Sequence, residues 1–169
     1  MDMIEKSIQV IREGQSPGGA YVACPSFPTY RYCWLRDGSF IAYAMDTAGQ
    51  HDSAAAFFCW VHRTLTANAA VFEGLIEAHD RGEEPRSLAP ARYRMDGSMD
   101  TSDWPNYQLD GYGTWLWALC EHVGQTGERS LIDTYEKSIS LTVEYLKRYW
   151  DHSNYDCWEE NGEEIHTST

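Results

Sequence analysis

Apolar residues recur along most of this chain at steps of three and four and hardly anywhere at steps of two, so the chain is built to bury one face of a series of helices. Ile4, Ile8 and Ile11 predict a first helix over residues 2–13, ended by Gly14 and Pro17-Gly18-Gly19. Phe40, Ile41, Ala44, Met45 and Ala48 form a second stripe that Gly49 closes. Ala54, Phe57, Phe58, Val61 and Leu65 form a third, continuing with a break through Ala69, Phe72 and Ile76 until Asp80-Arg81-Gly82 and Pro85 stop it. Tyr112, Trp115, Leu116, Leu119 and Val123 precede a turn over 124–127. Ile132, Tyr135, Ile139, Val143, Leu146 and Trp150 follow it. Short connections imply two antiparallel helix pairs, and the turns Ala48-Gly49-Gln50 and Val123-Gly124-Gln125 make a weak internal repeat. The expected class is all-α, an array of about five helices forming helical hairpins.

Three aperiodic stretches interrupt this pattern, at 19–38, 83–107 and 151–169, each rich in Trp, Tyr and acidic residues. Long loops of this kind in compact domains are usually functional or disordered, and aromatic content favours function. If the hairpins stack side by side, the loops gather at one end. Composition agrees. Leu, Ile, Val and Phe together number only 29 of 169 residues, about 17%, yet 7 Trp and 11 Tyr supply large buried area in their place. That balance suits aromatic-lined clefts for polar ligands.

A formal net charge of −13 and the lack of any basic patch argue against nucleic acid or an anionic membrane surface as partner. No run of about 18 apolar residues exists to span a membrane, and the first five residues do not resemble a secretory signal, so a cytoplasmic location is expected. Cys24, Cys33, Cys59, Cys120 and Cys157 fit neither a disulfide framework nor a metal pair and read as free thiols. Asp96, Asp100 and Asp103 lack EF-hand spacing, and the six histidines show no paired metal-ligand spacing, so neither metal nor cofactor is expected.

Each loop carries a distinct chemistry. Glu159 and Glu160 follow Trp158, setting a carboxyl beside a large apolar ring, the surrounding that raises its pKa toward that of a proton donor. On extended backbone the two side chains would face opposite ways and hold separate jobs; ordinary solvated acids are the alternative. Arg36 and Asp37, flanked by Trp34 and Tyr32, offer donors and an acceptor on an aromatic platform that suits a sugar, or else an ion pair anchoring the loop. In the second loop Trp104 leads to Gln108 and Asp110, and Asp110 also suits a helix cap.

In order and spacing, YRYCWLRDGSF (30–40), W-x3-Q-x-DG with its following helix (104–119) and YWDHSNYDCWEENGEEIHTST (149–169) resemble glycoside hydrolase family 15, the glucoamylases, glucodextranases and related trehalases. The likeness spans about residues 15–169. It implies an (α/α)6 barrel, an α/α toroid of twelve helices in two rings with the sugar pocket at one end. Glu159 then matches the general acid and Glu160 a residue contacting substrate near the scissile bond. Arg36 and Asp37 match the pair binding the terminal glucose, and Trp34, Trp104, Asp156 and Trp158 match residues around the pocket.

The reaction so implied is inverting hydrolysis of an α-glucosidic bond in an oligosaccharide or disaccharide of maltose, dextran or trehalose type. Inversion needs a second carboxylate as base, which the family carries far downstream. About five helices fit only the first half of the ring, so residues 1–169 are expected to be one partial catalytic domain, and an open half ring is liable to self-associate. A saccharide-binding or scaffold module of the same fold without turnover is the competing reading.

Overall fold

The structure, a computed structural model, describes residues 2–85, 87–100, 102, 104–105 and 107–165. Seven α-helices carry it: α1 Met3–Gly14, α2 Leu35–Thr47, α3 His51–Ala67, α4 Ala69–Asp80, α5 Asp110–Thr126, α6 Ser130–Thr134 and α7 Glu136–Tyr149. One two-residue antiparallel ladder joins β1 Cys33–Trp34 to β2 Arg92–Tyr93, pairing Cys33 with Tyr93 and Trp34 with Arg92. The all-α expectation holds. The ladder matters because it ties the first long loop to the second where both reach the helix ends.

Helix α2 packs on α3 and on α5. It runs parallel to α5, since Arg36 meets Asp110 at their first turns and Asp46 meets His122 toward their last. The close approach depends on Gly111, where a Cβ would lie 3.1 Å from the Arg36 nitrogen and 3.2 Å from the Leu35 Cβ. Helices α4 and α7 pack together beside α3.

Two boundaries differ from those read in the sequence, and an expected break is located. Helix α2 begins at Leu35, four residues inside the stretch expected to be extended, so Arg36 and Asp37 belong to a helical first turn. Extended Trp34 precedes it, and the acid at Asp37 suits the positive end of the helix. The break in the third stripe falls at Asn68, whose side-chain amide donates to Thr64 O (2.8 Å) and Gly97 O (3.1 Å), fastening the second long loop to the helix junction. The segment expected to be one helix through Trp150 is divided at Tyr135 into α6 and α7.

The buried faces also differ. Ala54, Phe57, Phe58, Val61 and Leu65 are buried as their spacing requires. On α2 Met45 is buried as expected, but the other buried positions are Leu35, Gly38, Ser39, Ala42 and Asp46, while Phe40 and Tyr43 are exposed and meet the exposed Trp117 of α5 as tilted rings at 5.6 and 5.0 Å. On α7 Val143 faces outward, as does Trp150 just past its end, and Ser138, Leu141, Thr142, Tyr145 and Tyr149 face in.

Tyrosines thus fill a core short of aliphatics, and they act as pins as well as filler. Tyr112 donates to Pro90 O (2.7 Å) and shares a hydrogen bond with Tyr93 (2.9 Å), Tyr145 accepts from Ala89 N–H (3.2 Å), and Tyr149 donates to Leu75 O (2.7 Å). Burial pushes the Tyr93, Tyr112 and Tyr145 hydroxyls well above the ordinary phenol value, so they stay neutral. The second long loop is therefore anchored onto the core rather than left free over it.

Candidate active site

Glu159 stands in a tight turn that Asp156 organises. The Asp156 carboxylate accepts N–H bonds from Trp158 (3.0 Å) and Glu160 (3.1 Å) through Oδ1 and from the Asn161 amide (3.2 Å) through Oδ2, and its carbonyl accepts from Glu159 N–H (3.0 Å). Within this turn Glu159 has φ of 63°, the left-handed region that L-residues enter rarely and that occurs at strained functional positions. The backbone here is a turn and not extended, yet the two side chains still part company: Glu159 turns inward and Glu160 is exposed.

The Glu159 Oε1 atom accepts two hydrogen bonds, from the Trp34 indole N–H at 3.1 Å and from the Gln108 amide at 2.8 Å. Gln108 is buried, and its own carbonyl accepts from Arg36 Nη1 at 2.7 Å. The same nitrogen donates to Asp110 Oδ2 at 2.7 Å, while Nη2 lies 3.6 Å from Asp37 and donates to Cys157 O. A continuous chain thus runs Asp110, Arg36, Gln108, Glu159, Trp34. Helix ends supply one end of it and the ladder the other.

Electrostatics follow from this packing. Burial works to lower the Arg36 value, but the hydrogen bond and charge of Asp110 with the charge of Asp37 outweigh it and hold the guanidinium above its ordinary value. Burial raises Asp37, and Asp110 and Glu159 add to that, against the opposing pull of Arg36. The site therefore sets two carboxylates, Asp110 and Asp37, on one guanidinium, with Glu159 linked to it through Gln108.

A pocket of about 180 Å³ is lined by Ala23, Tyr30, Trp34, Arg36, Asp37, Cys157, Trp158 and Glu159. Of the residues singled out in the sequence it brings together Trp34, Arg36, Asp37, Trp158 and Glu159. Trp158 is 79% exposed at its rim, so the ring touching Glu159 is Trp34, contrary to the expectation from adjacency. Trp104 stands behind Trp34, edge on at 6.2 Å, and lines a neighbouring cavity of about 620 Å³ with Asp100, Tyr107 and Tyr155. Its indole N–H is buried with no partner among the described residues. Asp156 and Glu160 lie in the turn and outside the pocket lining.

Gln108 lies inside the W-x3-Q-x-DG pattern and Tyr30 opens the first matching stretch, but the sequence assigns neither a role in the site. The acids at Asp96 and Asp100 are engaged locally, Asp96 with Ser98 and Asp100 with Arg92 and Ser102; Asp103 lies outside the described residues. One group with metal-donor atoms within 4.8 Å occurs among the described residues, Asp46, His51 and His122, at the end of α2 and α5 remote from the pocket. Both imidazole Nδ1 atoms lie 2.8 Å from the Asp46 carboxylate, a hydrogen-bonding distance.

A helical array with a carboxyl, an arginine and tryptophans gathered at one end has the form of part of an α/α toroid. The family model for glycosyl hydrolases family 15 matches residues 2–169, and the chain belongs to that family. An isomaltose glucohydrolase of Kribbella flavida is 39% identical over 171 residues, covering 99% of this chain and 44% of that protein. A solved wild-type glycosidase superposes with a TM-score of 0.90 at 38% identity, over 96% of this chain and 44% of its own. The glucoamylase of Hormoconis resinae matches at a TM-score of 0.68 with 18% identity over 94% of this chain and 30% of its own, a likeness of fold alone. The chain thus spans less than half the length of these relatives.

Proposed function

We propose that this chain is the acid-bearing part of a glycosidase that releases glucose from the non-reducing ends of α-glucosides with inversion. The observation that carries this reading is the asymmetry of Glu159. Its Oε1 is occupied as an acceptor by Trp34 and Gln108, while Oε2 has no hydrogen bond among the described residues. A proton on this carboxyl therefore sits on Oε2, the oxygen free to face a leaving group. Glu159 gives that proton to the glycosidic oxygen as the bond to the anomeric carbon breaks, and water attacks the opposite face of the sugar. A second carboxylate about 6.5 to 9.5 Å from the first takes the water's proton in inverting enzymes. In this reading it comes from the part of the domain beyond these residues.

Arg36 and Asp37 supply paired donor and acceptor for sugar hydroxyls, and Trp34 and Tyr30 supply flat apolar faces for the ring. The Kribbella flavida relative acts on isomaltose, which makes an α-1,6-linked disaccharide the first substrate to try, with maltose, dextran and trehalose beside it. Glu159→Gln in the full-length protein tests the reading, because glutamine keeps the acceptor oxygen and loses the proton. Hydrolysis is expected to fall by a factor on the order of a thousand with saccharide binding retained. Unchanged turnover removes Glu159 from the mechanism.

The reading includes self-association of the 169-residue chain. Exposed Phe40, Tyr43 and Trp117 make an apolar patch on α2 and α5 that supports it, and sedimentation of this chain checks it.

A further inference from the structure

We propose that Arg92, a residue no motif marks, is the positioning residue that aims the Trp34 indole at Glu159; its kinetic consequence rests on the hydrolase reading above. Arg92 is 2% exposed and lies directly across the β1–β2 ladder from Trp34. Its guanidinium carbon is 4.0 Å from the ring centroid of Trp104, 4.2 Å from that of Tyr32 and 5.1 Å from that of Trp34. Three aromatic rings from two segments of chain therefore contact one cation. Arg92 Nε donates to Asp100 Oδ2 at 2.7 Å and Nη2 donates to Ser102 Oγ at 3.0 Å, which fixes the plane of the guanidinium as well as its place.

The arrangement asks for an arginine in particular. Asp100 alone could be neutralised by any cation, but an ammonium is a point charge without a face, whereas a guanidinium is planar and holds stacked rings in orientation. Tyr32 and Trp104 also meet Trp34 edge on at 6.2 Å, so the cation fixes the two rings that in turn limit the tilt of the third. What Trp34 does with a fixed tilt is donate to Glu159 Oε1. A loosened indole would leave that oxygen with one donor and let the carboxyl turn in its pocket. Arg92 does not itself line the Glu159 pocket, and of the lining residues it reaches Trp34, so it acts through Trp34.

The test compares Arg92→Lys, Trp34→Phe and the double variant in the full-length protein, measuring kcat and KM on an α-1,6 glucoside and the tryptophan exciton dichroism. Arg92→Lys is expected to lower kcat about tenfold with KM within about twofold. In the Trp34→Phe background the same change is expected to have little further effect, because the two act through one contact. The dichroism that Trp34→Phe removes should be lost in Arg92→Lys as well. Should the lysine variant fail to fold, Tyr32→Leu removes one stacked face while keeping the Arg92 and Asp100 pair, and the same pattern is expected in weaker form. Additive losses in kcat, or native kcat in both Arg92→Lys and Tyr32→Leu, overturn the proposal. Native protein that cleaves no α-glucoside would instead sink the hydrolase reading. The dichroism would then decide Arg92 by itself, with an unchanged band overturning its role.

Discussion

Trp34 and Glu159 are 125 positions apart in the chain and joined by one hydrogen bond, indole N–H to carboxylate oxygen at 3.1 Å. The bond closes a link between the only sheet ladder of the described residues and the left-handed turn that presents the acid. Removing either donor to Oε1 frees that oxygen to take the proton. Gln108→Leu is therefore expected to lower kcat about tenfold or more on any substrate the protein cleaves. It also leaves Arg36 Nη1 with one acceptor in place of two, so KM should rise with it. Steady-state kinetics separate the two effects; unchanged kcat would show that Oε1 needs no fixed donor.

The Arg36 and Asp110 pair is half-buried on one side and nearly fully buried on the other, with side-chain exposures of 20% and 7%. Truncating one partner of such a pair leaves the other charge inside without compensation. Asp110→Ala should cost about 3 kcal/mol in unfolding free energy, measured by urea denaturation, whereas Asp52→Ala, whose partner Arg12 is exposed, should change it by less than about 1 kcal/mol. Equal losses would contradict the assignment.

Asp37 carries a stability cost of a different kind. Its carboxyl is raised by burial above the unfolded value, so the folded state binds the proton more tightly, and stability falls as pH rises from the unfolded value through the folded one. At neutral pH the charge therefore works against the fold. Asp37→Asn should raise the melting temperature at neutral pH, lose that gain at low pH where both states are protonated, and weaken saccharide binding. A lower melting temperature at neutral pH would reverse the sign argued here.

Two glycines of α5 make a paired test of helix packing. Gly111→Ala places a methyl group 3.1 Å from the Arg36 nitrogen and should cost about 1 to 3 kcal/mol while disturbing the pocket. Gly124→Ala meets nothing within 4 Å and should stabilise by up to about 1 kcal/mol, the ordinary helix preference for alanine. Thermal melts of the two variants give opposite shifts if α2 and α5 touch as described.

Periodicity made the helices legible, and the three aromatic loops made the end of the fold that holds the pocket legible too. The faces were harder. On α7 the aliphatic residues Val143 and Ile139 outweigh the tyrosines in any reading by hydropathy, yet Tyr145 and Tyr149 face inward because the second long loop and α4 offer their hydroxyls backbone partners. On α2, Ser39 is buried through a bond to the Leu35 carbonyl, and Asp46 through two histidines, His51 just past the turn and His122 from the distant α5. Within the site, adjacency pointed to Trp158 as the ring beside Glu159. A positive φ, which the residue type does not announce, turns the carboxyl away from its neighbour and toward Trp34. Arg92 carried no signal, because its partners come from positions 32, 34, 100, 102 and 104 and meet only after the ladder forms.

Helices α2 and α5 are bolted to each other at two points, by Arg36 with Asp110 under the pocket and by Asp46 with His122 toward the other end. About ten residues of α2, or about 15 Å, separate the bolts. A slip of one helix past the other by a single residue, about 1.5 Å, would break both at once. The pair is thus a rail of fixed gauge, and new sugar preferences in a protein built this way have to arise in the loops that stand on the rail, since the rail itself cannot be re-registered.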